Sequence, residues 1–326
     1  MFDIQDVGSR FYTFIWTMYD MMEAFTSVHM KNEPEYLTVR PFIILDRPNP
    51  LNGTLVKGPM LNPTYSSFVG RVNIPLQHGM TIGELGSIFA NQFINNNNEN
   101  NDDEKKYLRK KKTNRLLKVT VIKMLNWKRN TPYQETSLPW ILPSPNMPTL
   151  NTVSVYPGLC LIEGTSLSEG RGTTKPFQMI GAPWLNYTFA QQLRSIYANT
   201  RNSGMQLRES YFIPTFSKYK NNVTAGVSIV LKEDEEDDNY NFDPMRLALN
   251  IIMTAMQMDA SKDFQFLQGG KHFDQLIGSN QTRVLLLRSA MSNTSEVTVD
   301  SILEMHRKEL EVSGFLETRL KYLLYQ

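Results

Sequence analysis

The strand–helix–strand pattern at the start of the chain is the feature that most restricts its fold. "MFDI" is typical of a buried strand, a helix is predicted from about residue 9 to 28, and "YLTVRPFIILD" predicts a second strand. Such a unit joins two parallel strands and is the building block of a doubly wound sheet. It places Asp3 and Asp46 at the carboxyl ends of the strands, where these sheets bind ligands. We therefore predict an α/β fold whose first domain has a Rossmann-like, mostly parallel sheet.

The remaining chain predicts a second, smaller α/β domain. Residues 47–80 are rich in Pro, Gly and Asn and are expected to form a long ordered loop, followed by a helix over 82–93. The asparagine-rich stretch 95–112 predicts a disordered surface insertion. "RLLKVTVIKM" and "VSVYPGLCLIEG" predict buried strands, and further helices and extended segments follow residue 183. The predicted domains are residues 1–182 and 183–326.

Composition argues against several classes of function. With 34 Lys and Arg against 32 Asp and Glu, the charge gives no reason to expect a nucleic acid or an anionic membrane as partner. No apolar run approaches the roughly 20 residues of a membrane span. The single cysteine, Cys160, excludes an intramolecular disulfide and is expected to be a buried thiol. The four histidines lack paired spacing, so we predict no metal site, and we predict no cofactor.

The stretch "LIEGTSLSEGRGTTKPF" places Glu163, Glu169 and Arg171 among glycines and small hydroxyl residues. If it follows a strand, these side chains share a rim with those that follow the earlier strands, namely Asp3, Asp6, Asp46, Arg47 and Asn49. Carboxylates around a cleft suit glycosidic cleavage, in which one carboxyl group protonates the leaving oxygen and another group stabilises the transition state. Tyr12, Trp140 and Tyr156 would supply aromatic faces for sugar rings.

Two other interpretations of the stretch are open at this point. Arg171 would pair with Glu163 or Glu169 only to brace the loop, with the glycines serving its turns. A nucleotide site is the guess that the fold invites, but the chain has neither a Gly-x-Gly-x-x-Gly turn after a strand nor a Walker loop.

Six long motifs resemble the exo-β-N-acetylmuramidase (NamZ-type) family of glycoside hydrolases, which act on bacterial peptidoglycan. They are "FDIQDVGSRFYTF", "LDRPNPLNG", "SFVGRVNIPLQHGMTIGEL", "LPWILPSPNMPTL", "VYPGLCLIEGTSLSEGRGTTKPFQMIGAPW" and "FIPTFSKY", and they cover nearly the whole chain in order. The resemblance implies a Rossmann-like catalytic domain, a smaller α/β domain and a cleft between them. It also implies removal of terminal β-linked N-acetylmuramic acid from the non-reducing end, with peptidoglycan-derived sugars as partners.

On this resemblance we predict Glu163 and Glu169 as catalytic residues. The predicted substrate-binding residues are Asp3, Asp6, Arg10, Tyr12, Asp46, Arg47, Asn49, Asn146, Tyr156 and Arg171. Family members carry a further βαβ unit before "FDIQDVG", with a Ser-Pro-Glu-His-Gly loop whose glutamate is the best candidate acid. This sequence lacks that motif and carries the asparagine-rich insertion, so we expect an N-terminally truncated member. An inactive carbohydrate-binding remnant is the alternative. The family suggests a secreted or digestive location, although no signal peptide is visible.

Overall fold

The first sheet is short and parallel. The computed structural model describes residues 1–32, 41–95, 117–198, 203–232, 242–259, 263–291 and 297–326. Strand β1 (Phe42–Leu45) pairs in parallel with the strand over Val119–Ile122, which we call β4. On the other side of β1, Phe2 forms a parallel bridge with Ile44, through hydrogen bonds of 2.8 and 2.9 Å to the backbone of residues 43 and 45. The predicted helix and the strand before Asp46 are therefore present, whereas the predicted first strand is reduced to the single bridge at Phe2.

Helices and a small hairpin surround this parallel pair. Helix α1 (Phe14–Asn32) begins later than predicted, because residues 8–13 form turns. Helix α2 (Ile82–Ile88) has the predicted capping box, with Thr81 and Glu84 bonding reciprocally, and continues as a π-helix over Phe89–Asn95. The predicted loop 47–80 contains the antiparallel strands β2 (Lys57–Met60) and β3 (Pro75–Gln77). Most of the asparagine-rich stretch lies outside the described residues.

The second sheet is antiparallel. Strand β7 (Thr224–Leu231) lies between β5 (Met179–Ala182) and β6 (Met205–Phe212). Gly181 and Gly226 face each other in this sheet so closely that a Cβ on Gly226 would lie 1.9 Å from the Ile180 carbonyl oxygen. Because β5 precedes the predicted boundary at residue 183 and β7 follows it, this sheet spans the boundary; the division into 1–182 and 183–326 stays a prediction.

Helices cover the second sheet and return the chain to the first. They are α3 (Leu150–Leu159), α4 (Tyr187–Tyr197), α5 (Pro244–Met258), α6 (Lys271–Ile277), α7 (Gln281–Met291), α8 (Val299–Val312) and α9 (Phe315–Leu320). The fold is thus mixed α/β, with one parallel and one antiparallel sheet in the described part. Leu310 and Phe315 pack into the core around α1 and β1, whereas Val7 and Phe11 pack into the core around the second sheet.

The prediction of a strand at "VSVYPGLCLIEG" is wrong. This segment forms most of α3 and then a 3₁₀ turn over Cys160–Gly164. Pro157 and Gly158 are poor helix formers, but Thr149 caps the helix and all of residues 155–162 are buried. Gly158 is needed because a Cβ there would lie 1.7 Å from the Pro244 carbonyl oxygen at the start of α5. Burial on all sides removes the alternation that separates helix from strand in a sequence.

Candidate functional site

The loop over residues 163–172, which we call the charged loop, is fixed on both sides by backbone pairing. Ser168 exchanges hydrogen bonds of 2.7 and 3.1 Å with Gly181 of β5, and Ser166 N–H donates to the Gln265 carbonyl at 2.8 Å. The loop follows the 3₁₀ turn after α3, and not a strand as predicted. Gly170 and Gly172 adopt φ of +78° and +83°, which is why glycine serves at these positions. Hydrogen bonds to β5 and to residue 265 therefore fix the backbone of the charged loop.

Four charged side chains alternate in sign across the charged loop. Arg171 Nη2 donates to Glu163 Oε1 at 2.5 Å, and Arg171 Nε lies 3.4 Å from Glu169 Oε1. Lys218, from the β6–β7 connection, lies 3.0 Å from Glu169 Oε2. Burial by itself would lower the pKa of Arg171, but Glu163 and then Glu169 raise it overall. The predicted trio is thus brought together, and the predicted bracing pairs exist.

Exposure separates the members of this cluster. The Glu169 side chain is 3% exposed, whereas those of Glu163 and Arg171 are 21% and 26% exposed. The guanidinium carbon of Arg171 lies 5.0 Å from the centre of the Phe177 ring. In the described part of the chain Arg171 Nη1 has no hydrogen bond. One edge of the fork is therefore available to a ligand.

One predicted residue from the N-terminal segment, Tyr12, lies close enough to this cluster for the charge of Arg171 to act on it. Tyr12 is 9% exposed. Burial and then the charge of Asp6 raise the pKa of its hydroxyl above the ordinary value, and the charge of Arg171 lowers it by less. Its hydroxyl, Asp6 Oδ1 and Glu169 Oε2 are buried and have no hydrogen-bond partner among the described residues. Buried polar atoms are nearly always paired, so each of these three atoms is expected to have a water or ligand partner.

The predicted residues at the end of β1 form a separate group. Asp46 accepts hydrogen bonds from Thr81 Oγ1, Gly83 N–H and the Tyr325 hydroxyl at 2.8, 2.8 and 2.6 Å. Arg47 pairs with Asp3 on the surface at 2.6 Å. Asn49 is buried and bonds to the backbone of residues 51 and 80. No hydrogen bond or ion pair of the described chain joins this group to Glu163, Glu169 or Arg171, so the predicted single rim divides into two places.

Three other predicted residues have internal positions. Arg10 is fully buried and donates to the carbonyls of Pro59, Ile74, Leu276 and Ile277, which gives it a structural role. Tyr156 is 5% exposed and packs edge-on against Phe11 and Phe177, so its ring does not face solvent. Asn146 is half-buried, and its backbone N–H bonds to Ser144 Oγ in the proline-rich loop.

Sequence reasoning missed Lys218 and Tyr219. Lys218 Nζ contacts the charged loop at Glu169, and the Tyr219 hydroxyl donates to the Ser166 carbonyl at 2.6 Å. Both lie in "FIPTFSKY", one of the motifs that carried the family resemblance. The sequence around them gives no sign that they contact the charged loop, which lies about 50 residues earlier in the chain. His78, taken as an isolated histidine, is buried with Nε2 3.4 Å from Asp6 Oδ2.

The described residues include no cluster of three or more His, Cys, Asp or Glu side chains suited to a metal ion. Among the helices of these same residues, none has the length and apolar character needed to cross a bilayer.

Comparison with known proteins gives matches along the entire chain. A family model described as exo-β-N-acetylmuramidase NamZ, N-terminal, matches residues 1–151, and its C-terminal counterpart matches residues 154–325. The peptidoglycan β-N-acetylmuramidase NamZ of Bacillus subtilis (strain 168) is 40% identical over 325 residues, which cover 100% of this chain and 67% of that protein.

Two crystal structures of DUF1343 family proteins from Bacteroides fragilis NCTC 9343 have the same fold. One superposes with a TM-score of 0.76 at 25% identity and covers 99% of this chain and 73% of its own. The other has a TM-score of 0.69 at 30% identity and covers 99% and 74%.

Proposed function

The chain belongs to the NamZ family of exo-β-N-acetylmuramidases, and on that premise we propose that it hydrolyses terminal β-linked N-acetylmuramic acid from the non-reducing end of peptidoglycan fragments. The 40% identity to the Bacillus muramidase along the whole chain supports a hydrolase over an inactive carbohydrate-binding remnant. The observation in the structure that carries the proposal is the free Nη1 edge of Arg171, held by two carboxylates on its other nitrogens.

Arg171 is proposed to select the muramic sugar. N-acetylmuramic acid differs from N-acetylglucosamine by a lactyl carboxylate, so an enzyme that chooses it needs a cation in the pocket. A guanidinium offers a planar set of donors that matches a carboxylate, whereas lysine offers a point charge. Glu163 and Glu169 fix the direction of the fork, so the bracing contacts prepare the arginine for the substrate and do not exclude a functional role.

The two glutamates are proposed to have different roles because their surroundings differ. Glu169 is buried between the cations of Arg171 and Lys218, and this fixed position suits a residue that orients the sugar. Glu163 is partly exposed and, among the charged groups of the described residues, pairs with Arg171 alone, so it is the remaining candidate to assist catalysis. It would do so by positioning the 2-acetamido group of the substrate, a documented exception to the scheme with two catalytic carboxylates.

The finer description of the fold belongs to the same proposal. We propose that the parallel arrangement of Phe2, β1 and β4 is part of a Rossmann-like sheet, and that the sugar lies between this part of the molecule and the charged loop. The parallel bridge of Phe2 with Ile44 and the nearness of Tyr12 to Arg171 support this arrangement.

Arg171→Lys tests the proposed specificity. We expect it to weaken muramic acid substrates by about 1.5–3 kcal/mol, which is the contribution of a charged hydrogen bond, and to leave glucosamine analogues nearly unchanged. The measurement is kcat/KM for the paired chromogenic sugars with both proteins. Equal losses on the two substrates would make Arg171 a loop brace only.

A further inference from the structure

Lys218 places its ammonium group among four oxygen atoms of the charged loop and the turn before it. Nζ lies 2.9, 3.2 and 2.8 Å from the carbonyl oxygens of Ile162, Glu163 and Leu167, and all three are hydrogen bonds. The fourth oxygen, Glu169 Oε2, lies 3.0 Å away. An ammonium group has three N–H donors, and the three carbonyls use all of them. The contact with Glu169 is therefore an ion pair without a hydrogen bond, and Oε2 accepts no hydrogen bond from the part of the chain that the structure describes.

This arrangement leaves one oxygen of the Glu169 carboxylate, Oε2, without a hydrogen-bond donor among the described residues. Its other oxygen, Oε1, faces Arg171 Nε at 3.4 Å, and Glu163 lies beyond the same guanidinium. The side chain is 3% exposed, so bulk water does not solvate Oε2 freely. A buried carboxylate oxygen without a hydrogen bond is costly, and it accepts one readily when a donor arrives. Such an atom selects a hydroxyl or an amide N–H and rejects a second carboxylate.

We propose that Glu169 Oε2 accepts a hydrogen bond from a hydroxyl or amide N–H of the bound sugar, and that Lys218 is the positioning residue that holds this carboxylate in place. Lys218 acts through Glu169 and does not touch the sugar. The inference rests on the proposed function, which supplies the class of ligand. The hydroxyl or amide N–H that donates to Glu169 belongs to the sugar ring and acetamido group, which muramic acid and N-acetylglucosamine share. The role of Glu169 is thus separable from the role of Arg171, which concerns the lactyl group alone.

A double-mutant cycle on binding tests this inference. The dissociation constants of N-acetylmuramic acid and N-acetylglucosamine are measured by calorimetry for the wild type, Lys218→Met, Glu169→Gln and the double variant. Lys218→Met and Glu169→Gln are each expected to weaken both sugars about tenfold, the effect of one hydrogen bond to a charged group. The double variant is expected to bind no more weakly than either single variant, since both changes remove the same interaction. Lys218→Arg, which keeps the charge, should retain most of the affinity.

Lys220→Met is the matched control, because Lys220 is an exposed lysine two residues away on the same connection. It should bind both sugars as the wild type does. Additive losses in the cycle would overturn the inference, since they would make Lys218 a brace that acts independently of Glu169. If Lys218→Met does not fold, unchanged binding by Glu169→Gln overturns it as well.

The outcome also separates this inference from the proposed function. Equal affinity of the wild type for the two sugars would contradict the selection of muramic acid, while a coupled loss on both would still support the role of Lys218. Failure of the wild type to bind either sugar would overturn both proposals.

Discussion

Gly172, which follows Arg171, brings the charged loop against the β6–β7 connection. Its φ is +83°, and its carbonyl accepts hydrogen bonds from both the backbone and the hydroxyl of Thr215 at 2.9 Å. A Cβ at this position would lie 2.6 Å from backbone atoms of Phe216. The charged loop and the β6–β7 connection can approach each other this closely only because the residue has no side chain.

Gly172→Ala is expected to destabilise the protein by about 2 kcal/mol or more, through the left-handed backbone and the contact with Phe216. The free energy of unfolding in urea measures the loss. Gly269→Ala is the control, because Gly269 has φ of +65° but nothing within 4 Å of the added Cβ. Similar losses for the two variants would show that the close approach to Phe216 has no energetic consequence.

At the scale of elements, the last residues of the chain bind to the first sheet. The Tyr325 hydroxyl donates to Asp46 Oδ2 at 2.6 Å and accepts from Met124 N–H at 3.0 Å, which joins the carboxyl ends of β1 and β4. Leu324 N–H donates to Glu84 Oε1 at 2.8 Å. Tyr325 thus bonds to a carboxylate whose role in substrate binding stays a prediction.

Tyr325→Phe is expected to lower the free energy of unfolding by about 2 kcal/mol, because it leaves the Asp46 carboxylate with one donor fewer. Urea unfolding with an unchanged m-value would measure it. Tyr322→Phe removes an exposed hydroxyl that bonds only to Gln92 in the described chain, and should cost no more than about 0.5 kcal/mol. An equal effect of the two changes would show that the hydrogen bond of Tyr325 to Asp46 does not stabilise the fold.

His306 on α8 gives the fold a dependence on pH. It is 2% exposed and bonds to Thr282 Oγ1 at 2.8 Å, and burial, followed by the charge of Arg10, lowers its pKa from 6.5 to about 4. Between these two values the unfolded chain binds the proton and the folded protein does not. Stability from this group is therefore complete above pH 6.5 and falls by about 3 kcal/mol as pH decreases to 4.

His306→Gln should remove that part of the slope. The free energy of unfolding measured from pH 4 to 7 is expected to fall less steeply for the variant than for the wild type. Parallel slopes would mean that His306 is protonated equally in both states.

The elements also show which parts of the fold the sequence could predict. The spacing of apolar residues and the capping residues predicted α1, α2 and the strand before Asp46. Each of these elements has a local signature in the sequence, such as the Thr81–Glu84 capping box. They failed at "VSVYPGLCLIEG", where burial on every side hides the helical period. The trio of the charged loop was predicted because its members are close in sequence. Lys218 was not, because its contacts depend on the antiparallel pairing of β6 with β7.

At the scale of the molecule, the two ends of the chain cross between the two cores. The Arg10 guanidinium reaches carbonyls of residues 59 and 74 on one side and 276 and 277 on the other. Arg319 on α9 donates to the carbonyls of Gly53 and Gly79. These contacts join the N-terminal segment to α6 and join α9 to the loops on either side of the β2–β3 hairpin.

The identity of the sugar released from a defined chain end tests the central claim most directly. The protein is incubated with peptidoglycan oligosaccharides that end in either N-acetylmuramic acid or N-acetylglucosamine at the non-reducing end, and the products are separated and identified. We predict release of a single free N-acetylmuramic acid from each chain of the first set, because its removal exposes N-acetylglucosamine, and no release from the second set. Release of either sugar without preference, or cleavage inside the chains, would contradict the account.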